Sequence, residues 1–277
     1  MKKIHRKITK QSGFSILEVI IALVIMGVVT TAIFKLYISS HKNYMVQNEV
    51  VNVQQNARAS IDEMARQIRM AGYDLPLGLK AVEASNANPD TITLCYRATN
   101  CDTYLASAMP QPSAELKCAT DISCFYDGQW VYIFEPDSGG GEWFEISHVQ
   151  SAAKHIQHNT MVLSKSYSAD AIVMAINKVK FYIDENTDQN NPTLMIKTPG
   201  NSPQIFADYI TDLQFKYRMK NGVVLDSILV SDNVREVQIS VTGRSVNEDV
   251  DLDDFGDGDS FRRRTFSTSV FLRNVGI

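Results

Sequence analysis

Glu18 is a carboxylate in a place where carboxylates are costly. It lies inside residues 14–34, FSILEVIIALVIMGVVTTAIF, a run with no other charge and about the length of a membrane-spanning helix. On insertion scales an acid at the centre of such a helix costs roughly 2.5–3.5 kcal/mol, so Glu18 calls for a cationic partner. Four cysteines form a second cluster: Cys95, Cys101, Cys118 and Cys124, spaced C-x5-C-x16-C-x5-C. That is not the paired C-x2-C of zinc ribbons, and in an exported domain it reads as two disulfides. The pairing is open among three connectivities, with two local links and a nested pair both feasible.

Oxygen donors make a third group. Asp249, Asp251, Asp253, Asp254, Asp257 and Asp259 fall within eleven residues. Asp249, Asp251 and Asp253 match the first ligand positions of a Ca²⁺ loop. The sixth position, however, is Asp254 rather than Gly, and the twelfth is Ser260 rather than Glu. A solvated loop balanced by Arg262–Arg264 is the reading preferred over a Ca²⁺ site, and otherwise no cofactor is expected. Asp184-x-Asn186-x-Asp188 is a weaker case of the same pattern. His148, His155 and His158 fit no common metal spacing and read as surface histidines. There is no nucleophile elbow, H-E-x-x-H, Walker loop or dinucleotide fingerprint, so no enzyme is expected.

The elements that must carry these residues follow from periodicity. Val46, Val50, Val53, Ala57, Ile61, Met64 and Ile68 recur at helical steps, with Gln47, Gln54, Arg58, Asp62 and Arg66 opposite. No proline occurs between Phe14 and Leu75, so one helix is predicted from the apolar run to about Met70, ending near Gly72. From about residue 90 the pattern is β. Strands are expected at Thr91–Tyr96, Trp130–Glu135, Glu142–Val149, Met161–Ser164, Lys178–Ile183, Thr193–Lys197, Leu213–Met219, around Val237–Val241 and at Thr265–Arg273. The first two are read as a hairpin with the cysteine segment 95–124 inserted at its far end. Asn221-Gly222 signals a tight turn. Strands joined by turns without helical repeats argue an antiparallel sheet, with the amphipathic helix against one face. Trp130, Tyr132, Trp143 and Phe144 read as core or sheet-face residues.

Ahead of the apolar run stand five basic residues, Lys2, Lys3, Arg6, Lys7 and Lys10, and no acid. By the positive-inside bias this leader stays cytoplasmic, so residues beyond 35 face the other side. The order of basic leader, Gly13, then Phe14-Ser-Ile-Leu-Glu18 resembles the class III signal of type IV pilins and pseudopilins. The resemblance implies cleavage after Gly13 by prepilin peptidase, N-methylation of Phe14, and retention of the apolar helix. It also gives Glu18 a partner, the freed amine of Phe14 on a neighbouring subunit, which would set register in a growing filament. Loss of residues 1–13 would take the formal charge from −4 to −9, leaving no bulk attraction for nucleic acid.

The segments QNARASIDEMARQIRMAGY, VKFYIDENTDQNNPTLMIKT and VREVQISVTGRS…FSTSVFLRN resemble the PilW group of large minor pilins. The resemblance covers most of the chain and implies an α+β, pilin-like fold. Residues 1–13 would be leader, 14–34 the transmembrane and assembly half of the helix, 35–72 its amphipathic half, and 73–277 a β-rich head. The function it implies is priming or capping of a type IV pilus. Its partners would be other minor and major pilins, the inner-membrane assembly platform, membrane lipid and a tip adhesin. The chain would sit in the inner membrane with its head in the periplasm before assembly, and on the pilus afterwards. Two other readings remain: a J-type pseudopilin of a type II secretion system, or a membrane-anchored adhesin with no filament role.

Overall fold

The computed structural model describes residues 13–97, 99–137, 140–228, 234–248 and 260–274. Helix α1 spans Ile16–Met70, 55 residues without a break, as the absence of proline allows. It ends where Gly72 adopts a left-handed φ of 82°, and the Gly72 N–H turns to the carbonyl of Cys95. The chain divides into two compact units, Met1–Glu49 and Val50–Ile277, with α1 running through the boundary.

In the second unit the helix buries the expected stripe, Val53, Ala57, Ile61, Met64 and Ile68, while Arg58, Asp62 and Arg66 stay exposed. Strands follow in chain order: β1 (Val82–Ser85), β2 (Thr91–Tyr96), β3 (Asp102–Tyr104), β4 (Leu116–Lys117), β5 (Trp130–Phe134), β6 (Gly141–Glu145), β7 (His148–Gln150) and β8 (His155–Gln157). Then come β9 (Ile172–Met174), β10 (Asn177–Asp184), β11 (Thr193–Lys197), β12 (Gln204–Asp208), β13 (Ile210–Met219), β14 (Val224–Leu225), β15 (Val234–Arg244) and β16 (Arg263–Phe271). The architecture is α+β and pilin-like, a long N-terminal apolar helix followed by antiparallel sheets.

Two sheets build the main core. One has the order β1-β2-β10-β11-β12 and the other β14-β13-β15-β16. Alternation along each strand sends Ile92, Leu94, Val179, Phe181 and Leu194 from the first, and Leu213, Phe215, Val237, Ile239 and Val241 from the second, into one cluster with the helix stripe. The close approach of helix and sheet is visible at Gly243, where an added Cβ would lie 2.9 Å from Cγ1 of Val53. Gly222, with φ of 85°, makes the turn between β13 and β14.

The cysteine segment sits at the far end of a hairpin, but the hairpin is β2–β10 rather than β2–β5. Tyr96 pairs with Asn177 and Cys95 with Lys178, so the whole stretch 97–176 leaves and returns at one point. That stretch forms two further sheets, β3-β9-β5-β6 and β4-β8-β7, around its own core running from Cys101 to Ala175. The insertion is therefore much larger than 95–124. Within it, the strand expected at Glu142–Val149 is two strands. At Ile146–Ser147 the chain leaves one sheet for the other, with Ile146 N–H donating to Gln129 and Ser147 N–H to Gln157. Residues 161–164 form no strand.

Candidate functional site

The first turn of α1 is closed by its own side chains. Ser15 occupies the N-cap: its carbonyl accepts the N–H of Val19 at 3.2 Å and its Oγ accepts the N–H of Leu17 at 3.2 Å. In return, Oε2 of Glu18 accepts the N–H of Ser15 at 2.8 Å. This is a variant of the S-x-x-E capping box, with the Ser15 hydroxyl on the N–H of Leu17, and it satisfies donors that a helix start in apolar surroundings would otherwise leave bare. The signature stands in the sequence as Ser15-Ile-Leu-Glu18, yet the cost of an acid in an apolar run points to charge instead. Holding Ser15 N–H also places the Glu18 carboxylate one residue from the nitrogen of Phe14, the atom that cleavage after Gly13 would free.

Around this cap the helix is bare. Phe14 is 88% exposed, and the apolar side chains from Ile16 to Ile38 are exposed in turn. Phe14, Glu18, Ala22, Leu23 and Met26 outline a shallow groove along the first three turns. Further along, Oγ1 of Thr31 donates to the carbonyl of Gly27 at 2.8 Å, so that hydroxyl is satisfied within its own helix. Lipid or neighbouring helices can therefore cover this part of the surface without stranding that hydroxyl. The helix holds one stretch long and apolar enough to cross a membrane.

Residues 8–34 match the prokaryotic N-terminal methylation motif. The N-terminal segment is thus prepilin-like, similar to those of type IV pilins and pseudopilins, which are processed by prepilin peptidase and associate with other pilins. No curated protein matches the chain.

Of the other predicted site residues, the structure brings together two cysteines. Cys101 and Cys124 form a disulfide that closes a loop inside the insertion. Cys95 and Cys118 are free and buried, which corrects the expectation of two bridges. Their separation has a packing cause. Cys95 faces Tyr132, Phe134, Met174 and Ile176 on the outer side of β2, whereas Cys118 belongs to the insertion core with Leu105 and Leu116. Burial pushes the Cys95 thiol up to about 12 and the Cys118 thiol up to about 11, so both are inert in the folded chain.

The histidines take separate partners. His148 meets Asp127 at 3.0 Å and His155 meets Glu115 at 3.1 Å. His158 is not a surface residue: it is buried, with Nδ1 2.7 Å from the carbonyl oxygen of Met161 and Nε2 2.8 Å from that of Ala114. Asp184 spends its carboxylate on a turn, accepting the N–H of Asn186 and the hydroxyl of Thr187, and the Thr187 hydroxyl chiefly holds its pKa below the usual range. Among the described residues no group of three or more His, Cys, Asp or Glu side chains could hold a metal ion. Asp249, Asp251 and Asp253 lie outside the described residues, as does the leader before Gly13.

Proposed function

We propose that this protein is a minor pilin of the PilW type, which primes or caps a type IV pilus through its N-terminal helix. The observation that carries the reading is the Gly13–Phe14–Glu18 arrangement: a carboxylate bonded to the N–H of Ser15, one residue along the chain from the nitrogen of Phe14, at the start of an exposed apolar helix. After cleavage the same carboxylate can neutralise an N-terminal amine in a water-poor bundle, where an unpaired charge is expensive. A neighbouring subunit's amine makes that contact a register device. The role is structural rather than catalytic. The large insertion between β2 and β10 also favours a sparse or tip position, because so bulky a lobe is hard to repeat along a dense filament. Its partners are then other minor and major pilins, the assembly platform and a tip adhesin, with the head periplasmic before assembly.

Mass spectrometry of the chain from cells carrying the system tests this. A mature chain beginning at methylated Phe14, found in sheared filaments, is the expected result. Glu18→Val should be processed yet absent from filaments. A chain that keeps residues 1–13, or a Glu18→Val chain that incorporates normally, overturns the reading, and the first outcome leaves a membrane-anchored binding domain in its place.

A further inference from the structure

The outer face of the β1-β2-β10-β11-β12 sheet carries an arrangement that sheet stability does not favour. Lys180 of β10 stands directly opposite Lys197 of β11, two like charges in register. Glu83, Thr93, Lys180 and Lys197 form one row across four strands, and Lys178 lies two residues from Lys180 on the same face. Lys178 reaches Glu83 at 3.9 Å and lies 5.6 Å from the ring centre of Trp143. Lys180 lies 5.2 Å from the ring centre of Tyr182, but among the described residues neither it nor Lys197 forms an ion pair. The buried side chains on the opposite face of β10, Val179 and Phe181, belong to the main core. The lysine face is therefore spare for another use.

The insertion makes this face a cleft. Trp130 and Trp143 wall it, and the turn Thr198–Asn201 closes one side. The cavity over the lysines measures about 460 Å³, and a second of about 300 Å³ lies across Trp130. The second is edged by Gln129, Asn177, Asn201 and Thr99, and among the described residues no carboxylate lines either. Gly200, with φ of 74°, sits so close to the indole that an added Cβ would fall 2.5 Å from it. The indole N–H of Trp130 is buried and has no acceptor among the described residues. An unpartnered donor of that kind is uncommon in a folded protein.

We propose that this cleft binds an acidic saccharide, with its anionic groups on Lys180 and Lys197 and a sugar ring beside Trp130. Amide and hydroxyl side chains next to an aromatic ring match sugar hydroxyls and the apolar face of a pyranose. Three lysines gathered on one sheet face suit a few anionic groups. A nucleic-acid strand would instead need a long basic track, and this chain carries a net charge of −4. The site does not depend on the filament reading.

The cleft reports on itself, because Trp130 and Trp143 are the two tryptophans of the chain. Full-length protein in detergent is titrated with hexagalacturonate, with a neutral galactose hexamer, and with an oligothymidylate of equal charge. A saturable change in tryptophan emission is expected with hexagalacturonate. Affinity should fall about tenfold or more in the Lys180→Gln/Lys197→Gln variant, as expected for loss of charge-assisted contacts. The melting temperature of that variant should hold or rise, since like charges are removed. If it does not fold, Lys197→Gln, at an exposed position, serves instead. No saturable change with hexagalacturonate, undiminished affinity in the variant, or tighter binding of the neutral hexamer or the oligothymidylate would each overturn the proposal.

Discussion

Oε2 of Glu18 accepts the backbone N–H of Ser15 at 2.8 Å, so the acid of the apolar run caps its own helix. The same carboxylate can therefore serve two purposes, closing the first turn and meeting an amine. Glutamine keeps the first and loses the second, because S-x-x-Q also forms a capping box. Glu18→Gln should leave the helix start intact and be processed normally. If charge sets register, the variant enters filaments poorly, as Glu18→Val does. Incorporation of the Glu18→Gln protein at the native level, with the Glu18→Val protein excluded, would assign the requirement to the cap.

The single disulfide has a count attached to it. Native protein should show no reaction with Ellman's reagent at about pH 8, because Cys95 and Cys118 are buried with raised thiol pKa values. Denaturant without reductant should release two thiols, and reduction four. Finding none in denaturant alone would mean a second bridge and would contradict the Cys101–Cys124 pairing as the sole link among the described residues.

Packing of the helix on β15 can be tested at one contact. Gly243→Ala should destabilise the protein by about 1–3 kcal/mol, since the new methyl meets Cγ1 of Val53. Val53→Ala opens that space, so the double variant should lose less than the sum of the two single changes. Additive losses in a denaturant titration would show that the helix does not approach the sheet there.

Asp90 gives a pH dependence of known sign. It is buried, and its Oδ2 accepts the N–H of Phe215 at 2.8 Å. Burial raises its pKa more than that bond lowers it, with Asp212 and Asp226 adding to the rise. The folded state thus holds its proton to higher pH than the unfolded chain, whose Asp titrates near about 3.9. Its contribution is fully present below that value and is lost as pH rises through the folded pKa. Thermal melts from about pH 4 upward should show this decline in the native protein, and Asp90→Asn should flatten it. Identical slopes in the two proteins would count against the burial argument.

Much of the fold was legible because it rests on local repetition. The steps from Val53 to Ile68 mark one helix face, and the alternation through β10, β13, β15 and β16 marks which side chains turn inward. Those periods depend only on backbone geometry, so they survive without knowledge of what packs against them. The Asn221-Gly222 turn and the β10–β11 and β15–β16 hairpins are equally local. Strand partnership across long intervals is different. β2 pairs with β10 across the whole excursion 97–176, and nothing near Thr91–Tyr96 distinguishes that partner from the closer Trp130–Phe134. His158 likewise reads as a surface residue in the sequence, because its two carbonyl partners, at Ala114 and Met161, belong to a lobe whose extent no local signal marks.

By itself, then, the sequence determined the N-terminal segment: the spacing of Gly13, Phe14 and Glu18 and the apolar run behind them need no tertiary contact to be read. Only the tertiary structure decided which cysteines join, where the insertion begins and ends, and that three lysines and two tryptophans share a cleft. The physical reason is distance along the chain. A helix cap is set by residues three apart, whereas Cys101 meets Cys124, and Trp130 and Trp143 come to line one cavity with the lysines of β10 and β11, only after the sheets have formed.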